Sequence, residues 1–392
     1  MKSIQGSIEL NQKRVLVRLD LNVPIESGKI KDSTRIDKIL PTLKYLLKNN
    51  AKIIILSHVG RPKGKIKKEL SLKPICENLK KKINIKIKLI TKNIKKINSN
   101  DLFRDLNEKI LMLENIRFYP EEEKNDNKFA KHIASFADIY VNDAFSCSHR
   151  AHSTMKEIPK FLPSYSGLQL DSELYALNKI TSEIKRPITC IIGGSKISTK
   201  IKLIENLITK FDNIVIVGGM ANNILEYNGL NIGSSIRENN CGKIIKKIFN
   251  SSKKENCNII YPEDVMIGKN LNDKSKIREI NNISKSDMIL DIGPKTIKTI
   301  KKIIQNSKTV LWNGPAGYFE NSNFAIGSYE IAKEIAKKTN EGKLYSVVGG
   351  GDTVSVINKI KLFKSYNFVS TAGGAFLEYL EGKDLPGIKA LN

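Results

Sequence analysis

Residues 347–360 read VVGGGDTVSVINKI and contain the structural unit that recurs along the chain. An apolar pair is followed by three glycines, Asp-Thr and an apolar stripe at helical spacing, which predicts a strand, a tight turn and a helix. One glycine is enough for a tight turn, because glycine adopts positive φ without a steric penalty. Three glycines also remove every side chain from the helix entrance, where unpaired N–H groups attract an anion. The stretch therefore predicts a phosphate-binding turn, with a purely structural turn as the alternative.

The same plan of strand, polar or glycine-rich turn and helix recurs along the chain. In the first half the apolar runs are VLVRLDLN, KIIILSH, KILMLEN and IYVNDAF, and in the second half they are TCIIGG, IVIVGG, NIIYPED, MILDIG, TVLWNG and YSVVGGG. Strands that alternate with helices form parallel sheets covered on both faces, and ligands bind beyond the carboxyl ends of such strands. We therefore predict an α/β protein with two Rossmann-like domains, whose parallel sheets are covered by helices and which are joined by a hinge helix.

The predicted domain boundaries depend on the connector YSGLQLDSELYALNKITSEIKRP, residues 165–187. Its helical middle ends at Pro187, because proline does not continue a helix. We predict a first domain over residues 1–168, the hinge helix over 169–186 and a second, nucleotide-binding domain over 187–374.

The composition is that of a globular protein. The chain has 392 residues, and its five cysteines form no CxxC pair, which argues against a disulfide framework or a zinc site. No run approaches the roughly 18 apolar residues of a membrane span, and the start MKSIQGSIELNQKR has no apolar signal-peptide core. We predict a soluble, cytoplasmic protein.

The formal net charge of +26 would draw the chain toward nucleic acid, anionic lipid or small polyanionic substrates. Most of the excess is lysine, in stretches such as KGKIKKEL, KKKINIKIK and KNIKKIN, where it is interleaved with Ile and Asn rather than with aromatic residues. We interpret this as a compositional bias along the whole chain, because no nucleic-acid recognition motif accompanies the charge. A basic nucleic-acid-binding module is the alternative from a different class.

Four arginines follow predicted strand ends in the first half and indicate an anion site. Arg35 lies in KDSTRIDKIL, in the first helical turn after an Asp-Ser N-cap, and the others are Arg61 in SHVGRPKG, Arg117 in ENIRFYPEEE and Arg150 in DAFSCSHRAH. Guanidinium groups bind carboxylate and phosphate oxygens in pairs, so several of them in one pocket suit a small phosphorylated acid. Each arginine taken alone also fits a surface ion pair.

Three further polar residues stand beside these arginines. Asp20 and Asn22 in RLDLNVP alternate along the predicted strand, which places both side chains on one face at its carboxyl end. They could bind a substrate hydroxyl, or they could cap a turn ahead of Pro24. His58 in ILSHVGRP could donate a hydrogen bond to the substrate, or it could be a satisfied histidine at a sheet edge.

The second half offers two lysines in GGSKISTKIKLIENL, residues 193–207. Lys196 and Lys200 are spaced one helical turn apart, which predicts that they share one face of a helix. Two ammonium groups in that arrangement could hold the terminal phosphates of a nucleotide and the charge that develops during phosphoryl transfer. An exposed lysine pair without a ligand is the alternative.

Two further strand-end segments of the second half could line a nucleoside pocket. They are VGGMANNIL at 217–225 and VLWNGPAGYFE at 310–320, in which Glu320 could accept hydrogen bonds from ribose hydroxyls. After the triple glycine, Asp352 could hold magnesium directly or through water, and Thr353 could meet a phosphate oxygen.

Several common nucleotide-binding motifs are missing. The segment GRPKGKI has the wrong spacing for the P-loop pattern GxxxxGK[ST] and ends in isoleucine. The dinucleotide pattern GxGxxG fails because Val354 stands where its third glycine is needed. The HRD and DFG strings of protein kinases are also missing from the sequence.

Nine ordered blocks cover essentially the whole chain: RVLVRLDLNVP, ILSHVGRP, LMLENIRFYPEEE, YVNDAFSCSHRAHST, GGSKISTKI, LDIGPKT, LWNGPAGYFE, VVGGGDTVSVI and STAGGAFLEYLEGKDLPGI. On these blocks the sequence resembles the phosphoglycerate kinase family. The resemblance implies reversible phosphoryl transfer between 1,3-bisphosphoglycerate and ADP, which gives 3-phosphoglycerate and ATP in glycolysis. It also implies Mg²⁺ as the metal and a monomer that binds neither nucleic acid nor membrane. Another acyl-phosphate-forming kinase is the alternative within the enzymes.

The resemblance implies roles for the residues that match the family's motifs. The residues implied to bind the triose acid are Asp20, Asn22, Arg35, His58, Arg61, Arg117 and Arg150. The residues implied to be catalytic are Arg35, Lys196 and Lys200. The residues implied to bind the nucleotide are Lys200, Asn313, Glu320, Gly350, Gly351, Asp352 and Thr353, with Asp352 as the metal ligand. The C-terminal tail, residues 375–392, is implied to pack back on the first domain.

Three positions depart from the family's pattern. Val217 stands where a third glycine is frequent, Ala372 stands where glycine is usual, and Ser-Cys-Ser at 146–148 replaces Gly-Thr-Ala. We expect Val217 to narrow the adenine pocket and Ala372 to reduce flexibility near the transferred phosphate, with changed affinity at most.

The predicted chemistry needs no general base. A carboxylate nucleophile with an ordinary pKa near 4 is already ionised at neutral pH, so charge stabilisation and positioning must supply the rate. Because the arginines and the glycine turns lie in different halves, we predict that hinge closure unites the substrates and excludes water.

Overall fold

The computed structural model describes residues 1–6, 8–105 and 107–392. In this part, the chain divides into two compact units. The first unit contains Met1–Tyr175 together with Asp384–Asn392, and the second contains Ala176–Lys383. The division between Tyr175 and Ala176 falls inside the helix Leu168–Thr181, which is shorter than the segment 169–186 expected from the sequence.

The first unit is built on a parallel sheet with the strand order β5-β6-β4-β1-β7-β8. Its central strands are buried on both faces, as expected for a sheet covered by helices on both sides. The strands β2 and β3 follow β1 in the sequence and form a separate antiparallel hairpin. The strands are β1 (Arg14–Leu19), β2 (Ile25–Glu26), β3 (Lys29–Ile30), β4 (Lys52–Leu56), β5 (Ile87–Ile90), β6 (Ile110–Leu113), β7 (Ile139–Asp143) and β8 (Ser164–Ser166).

The helices of the first unit follow its strands and bury their apolar stripes. In α1, Ile36, Ile39, Leu43 and Leu46 are buried at helical spacing. The helices are α1 (Thr34–Lys48), α2 (Lys73–Ile83), α3 (Pro120–Glu123), α4 (Asn127–Ala134) and α5 (Leu168–Thr181).

The second unit repeats this plan with a parallel sheet of strand order β11-β10-β9-β15-β16-β17. Trp312 is fully buried in its core and donates from Nε1 to the Gly314 carbonyl at 2.8 Å. The strands are β9 (Ile188–Ile192), β10 (Asn213–Ile216), β11 (Asn258–Ile260), β12 (Asp264–Gly268), β13 (Lys276–Glu279), β14 (Met288–Ile292), β15 (Thr309–Asn313), β16 (Tyr345–Gly349) and β17 (Phe368–Val369). The helices are α6 (Ile201–Ile208), α7 (Gly219–Tyr227), α8 (Gly242–Lys254), α9 (Pro294–Asn306), α10 (Ile326–Asn340), α11 (Gly351–Lys359) and α12 (Gly374–Leu380).

The prediction of two α/β units with parallel sheets covered by helices is confirmed, with one difference. The run MILDIG forms β14, which pairs antiparallel with β12 in a small sheet of order β13-β12-β14 rather than in the large parallel sheet. Its first two residues, Met288 and Ile289, are only half-buried, so this strand lacks the two-sided cover of a central parallel strand.

The C-terminal residues return to the first unit. The helix α13 (Pro386–Lys389) places the Gly387 N–H 2.8 Å from the Ser148 carbonyl, and the Gly387 carbonyl accepts from Asn142 Nδ2 at 3.1 Å. Residues 375–383, which were assigned from the sequence to the same tail, cluster with the second unit instead, because α12 packs against α6.

Candidate functional sites

The first site lies beyond the carboxyl end of β1 in the first unit. Arg35, in the first turn of α1, donates from Nη1 to Asp20 Oδ1 and to the Asn22 carbonyl, both at 3.1 Å. The expected strand alternation of Asp20 and Asn22 is wrong, because β1 ends at Leu19 and both residues lie in the following loop. The strand stops there because the Leu21 N–H donates to the Ser57 hydroxyl instead of to a neighbouring strand.

Gly60 links two of the expected acid-binding residues. Its N–H donates to Asn22 Oδ1 at 2.9 Å, and its carbonyl accepts from Arg117 Nη1 at 3.1 Å. The backbone of Gly60 has a φ of +65°, a conformation that favours glycine. The Arg117 side chain is buried, and its Nε has no hydrogen-bond partner among the described residues.

The other two arginines are held less closely. Arg61 is exposed, and Arg150 is half-buried with Nε 3.2 Å from His149 Nε2. Burial lowers the pKa of Arg117, and the positive charges of Arg18 and Arg150 lower it further, so Arg150 acts on the same electrostatic cluster. The structure therefore groups Asp20, Asn22, Arg35 and Arg117 by direct contacts, and Arg150 by charge.

Arg18 is a functional candidate that the sequence analysis missed. Its side chain is fully buried, and Nη2 lies 3.0 Å from His58 Nδ1. Because a guanidinium group can only donate, Nδ1 must accept, and the ring proton of neutral His58 is left on Nε2. Burial, followed by the charges of Arg18 and Arg117, holds the pKa of His58 well below its ordinary value, so the ring is neutral at pH 7. A signal was present in the sequence, since Arg18 interrupts the apolar run VLVRL.

A chain of buried hydrogen bonds supports Arg18 from behind. Its Nε donates to Thr154 Oγ1 at 3.1 Å, and the Thr154 hydroxyl donates to Glu122 Oε1 at 2.6 Å. Glu122 is fully buried, and burial raises its pKa while Arg18 and these hydrogen bonds oppose the rise. The guanidinium group is therefore fixed from two sides, by the histidine and by this chain.

The second site lies at the carboxyl ends of β9, β15 and β16 in the second unit. Lys200 donates from Nζ to Asn313 Oδ1 at 2.7 Å, and burial lowers the pKa of its ammonium group. Lys196 is exposed and lies in the loop ahead of the short 3-10 turn Ser198–Lys200. The expectation that both lysines share one helical face is therefore wrong, because the α-helix begins only at Ile201.

The triple-glycine turn forms as the sequence predicts, between β16 and α11. Gly350 precedes the helix with a φ of +95°, and a Cβ at this position would lie 3.1 Å from Asn313 Nδ2. That amide nitrogen is buried and has no hydrogen-bond partner among the described residues. Thr353 is buried, and its hydroxyl accepts from the Gly314 N–H at 2.7 Å. The unpaired Asn313 Nδ2 beside the glycine turn could therefore donate a hydrogen bond to an anionic ligand.

A cavity of about 420 Å³ lies in the second unit beside this turn. Both segments that were expected to line a nucleoside pocket contribute to it, together with Glu320 and Asp352, which are exposed. The small antiparallel sheet also contributes apolar walls, which the sequence analysis missed. The walls include Gly218, Gly219, Val265, Leu290, Pro315 and Gly317.

Val217 does not narrow this cavity, contrary to expectation. Its side chain is fully buried in the core of the second unit, and it is absent from the cavity walls within the described part of the chain. The next two residues, Gly218 and Gly219, line the cavity instead. The loop that follows β9 is packed more tightly. A Cβ on Gly193 would lie 2.2 Å from the Pro315 carbonyl oxygen, so the two loops touch through their backbones.

No helix in the described ranges is long and apolar enough to cross a membrane. Within the same ranges, no group of three or more His, Cys, Asp or Glu side chains could hold a metal ion by itself.

The two sites differ in their chemistry and define a class of protein. A cluster of guanidinium groups suits a small anionic acid, and a glycine-lined cavity beside a positive-φ turn suits a nucleotide. Binding of both a nucleotide and a small acid is what a phosphotransferase that uses these two substrates requires.

Comparisons with known proteins narrow this class. The family model described as phosphoglycerate kinase matches residues 6–383. The chain is 46% identical over 389 residues to the phosphoglycerate kinase of Wolbachia sp. subsp. Brugia malayi, covering 98% of this chain and 96% of that protein. It is 45% identical over 389 residues to the phosphoglycerate kinase of Orientia tsutsugamushi (strain Ikeda), with the same coverage.

Solved structures agree with the sequence comparisons. The structure of phosphoglycerate kinase from Coxiella burnetii matches with a TM-score of 0.90 at 38% identity, covering 99% of this chain and 98% of that one. That of phosphoglycerate kinase from Pyrococcus horikoshii OT3 matches with a TM-score of 0.82 at 25% identity, covering 100% and 98%. The chain belongs to the phosphoglycerate kinase family. This family consists of phosphotransferases with a carboxyl acceptor that use ATP or ADP with Mg²⁺.

Proposed function

We propose that this chain transfers a phosphoryl group reversibly between 1,3-bisphosphoglycerate and ADP, giving 3-phosphoglycerate and ATP, with the acid on the first unit and the nucleotide on the second. The observation that carries the proposal is that each unit has its own anion site, of a different kind, at the carboxyl edge of its parallel sheet. One is built from guanidinium groups and the other from bare backbone.

On the first unit, we assign binding of the triose acid to Asp20, Asn22, Arg35, His58, Arg61, Arg117 and Arg150. Arg35 and Arg117 would hold carboxylate and phosphate oxygens, because their planar groups donate in pairs. His58 would donate from Nε2, since Arg18 occupies the lone pair of Nδ1 at 3.0 Å. Asp20 would accept from a substrate hydroxyl while it positions Arg35.

On the second unit, we assign the nucleotide to Lys196, Lys200, Asn313, Glu320 and the turn Gly350–Thr353. The unpaired Asn313 Nδ2 and the N–H groups at the start of α11 would donate to phosphate oxygens. Glu320 would accept from the ribose at the cavity wall.

Magnesium fits this site as a metal that arrives with the nucleotide. Mg²⁺ keeps several waters and is usually bound by one or two carboxylates together with substrate phosphates. Asp352 is a single exposed carboxylate in the first turn of α11, so it would be the protein ligand. When bound, the ion supplies neutralisation of phosphate charge.

The reaction would need no general base, because the acceptor carboxylate is already ionised at pH 7. Lys200 would stabilise the charge on the transferred group, moving from Asn313 Oδ1 to a phosphoryl oxygen. Arg35 would do the same from the acid side.

Interdomain closure, a monomeric state and a cytoplasmic location remain predictions. Small-angle scattering with both substrates tests the first of them, and an unchanged radius of gyration would reject closure.

The test is a coupled assay of ADP formation from ATP and 3-phosphoglycerate. We expect turnover in the unaltered chain, loss of at least ~10²-fold in Arg35→Ala and Lys200→Ala, and no loss in Lys44→Ala. Lys44 is an exposed residue of α1 and serves as the matched control. Absence of activity in the unaltered chain would reject the function, and full activity in both variants would reject the site.

A further inference from the structure

The positive charge of the first unit is concentrated in one segment. Residues 61–96 contain 14 Lys and Arg residues and 2 acidic residues. The rest of that unit contains 21 basic and 19 acidic residues, which nearly balance. The interpretation of the lysine excess as a bias along the whole chain therefore does not hold within this unit, since nearly all of the unit's excess comes from one stretch.

Part of this segment borders an open cleft of about 960 Å³ in the first unit. We call it the lysine cleft, after the three lysines that line it, Lys68, Lys73 and Lys95. Its apolar wall includes Pro74 and Ile66, whose side chain is 79% exposed, the largest exposed fraction among the large hydrophobic residues of the described chain. With this exposure, most of the Ile66 side chain is available to a ligand in the cleft.

The charges in the cleft are incompletely paired. Lys95 forms an ion pair with Glu121, whereas neither Lys68 nor Lys73 has an ion pair among the described residues. The one carboxylate in the wall, Glu114, already accepts from Ser71 Oγ at 2.6 Å and from the Leu72 N–H at 2.7 Å. The cleft therefore combines two ammonium groups that form no close ion pair with an apolar wall.

This combination favours an acidic peptide over other anions. Thirteen of the fourteen basic residues in 61–96 are lysines, which bind isolated carboxylates as point charges and lack the planar fork of arginine. Base stacking needs a free aromatic face, but Tyr119 packs against Phe129 at 5.5 Å and accepts from the Ile94 N–H. A concave cleft also fits an inserted side chain better than a planar lipid surface. A second copy of this chain, at +26, would be repelled.

We propose that the lysine cleft binds an extended acidic segment of a partner protein, which places an apolar side chain against Ile66 and its carboxylates near Lys68 and Lys73. None of the residues assigned to the acid and nucleotide sites lines the cleft, although its wall borders the acid site: Phe118 follows Arg117 in the chain, and the Gly64 N–H donates to the Arg117 carbonyl at 3.3 Å. Binding in the cleft would add an interaction that the transfer reaction does not need.

The test uses fluorescence anisotropy with a labelled nonapeptide that has one central leucine and four glutamates on each side. We expect the double variant Lys68→Glu/Lys73→Glu to weaken binding at least ~10-fold, and Ile66→Ser to weaken it about 3-fold. The matched control is Lys44→Glu/Lys48→Glu, which makes the same charge change at exposed positions of α1 and should alter binding less than about 2-fold.

A second peptide with serine in place of the leucine tests the apolar contact. It should bind the unaltered chain about 3-fold more weakly, with no further loss on Ile66→Ser. Equal weakening by the control pair, or equal affinity for both peptides, would overturn the proposal. So would tighter binding of a 20-nucleotide single strand or of phosphatidylserine vesicles through the same lysines at equal salt. If the double variant does not fold, the two peptides on the unaltered chain still decide.

Discussion

The two candidate sites of this protein are both suited to an anion, but they are built from different chemical groups. In the first unit, Arg18, Arg35 and Arg117 supply charge from side chains that are buried or half-buried. In the second, the glycine-rich loops supply space and a bare backbone, with the N–H groups at the start of α11 as donors and Lys200 as the half-buried cation. A site made of side chains fails when atoms are removed, whereas a site made of backbone fails when atoms are added.

The difference also explains how each site is supported. Three arginines near one another repel, so the first unit stabilises them with acceptors: Asp20 for Arg35, and Thr154 and neutral His58 for Arg18. The glycine loops need no counter-charge. They need close contact, such as the one between Gly193 and Pro315. Each of the following changes tests one side of this contrast.

The largest effect on turnover is expected from Lys200→Met. This change removes the cation that contacts Asn313, and we expect kcat to fall by ~10²–10³-fold. Lys196→Met should cost less than about 10-fold, because Lys196 is exposed and lies outside the helix. Steady-state kinetics at saturating substrates measure both. Equal losses would show that position in the sequence, rather than burial, decides the role of these lysines.

The next effect is expected from the addition of a single methyl group in Gly193→Ala. The new Cβ would meet the Pro315 carbonyl at 2.2 Å and Gly314 backbone atoms, so the two loops must separate. We expect the KM for the nucleotide to rise ~10-fold or more and the melting temperature to fall, with the KM for the acid unchanged.

The matched control for this change is Gly242→Ala, at the first residue of α8. The nearest atom to a Cβ there is a Tyr227 ring carbon at 3.9 Å, an ordinary contact. Alanine should be neutral or slightly stabilising at this position. If both alanine variants behaved alike, the bare backbone of the nucleotide loops would have no steric role.

A smaller effect is expected from Arg35→Lys in the first unit. Lysine keeps the charge but loses the planar fork, so the contacts to Asp20 and to a substrate oxygen cannot be made together. We expect the KM for 3-phosphoglycerate to rise about 10-fold while the KM for ATP stays within about 2-fold. Arg237→Lys, at an exposed position of the second unit, is the control. A rise in both KM values for Arg35→Lys would contradict the assignment of Arg35 to the acid site alone.

Much of the fold was predictable from the sequence, because its signals are local. Apolar runs predict the strands, and the three glycines predict the turn whose φ of +95° at Gly350 the structure shows. The antiparallel pairing of β14 was not predictable, since its run MILDIG reads like the parallel strands and only its partner β12 reveals the difference. Edge strands such as β17, with two residues, are too short for a periodic signal.

The candidate site residues were predictable where the residue type and its position after a strand were sufficient signals. Arg35 and Lys200 occupy the expected sheet edges, and their roles remain proposals. Arg18 was missed because a charged residue inside an apolar strand is unusual, and only the fold brings it to His58 and Thr154, which lie 40 and 136 positions away. The helical pairing of Lys196 with Lys200 failed because spacing alone does not fix where a helix begins.

The smallest effect on turnover is expected from Asp143→Asn, which instead tests stability. Asp143 is fully buried, and burial raises its pKa to about 7, although the N–H groups of Gln169 and Leu170 oppose the rise. In the unfolded chain the same group titrates near 4. Below pH 4 both states hold the proton. Between pH 4 and 7 the unfolded state loses it first, so the free energy of unfolding falls, and above pH 7 this contribution is constant.

Asparagine cannot titrate, so urea unfolding of Asp143→Asn should show a shallower decline between pH 4 and 7, by on the order of 1 kcal/mol or more. Asp291, whose pKa burial likewise raises to about 7, offers the same test in the second unit with Asp291→Asn. An unchanged pH profile in both variants would mean that these carboxyl groups ionise freely in the folded chain. Both units would then hold a buried, ionised carboxylate, although their anion sites are built from different groups.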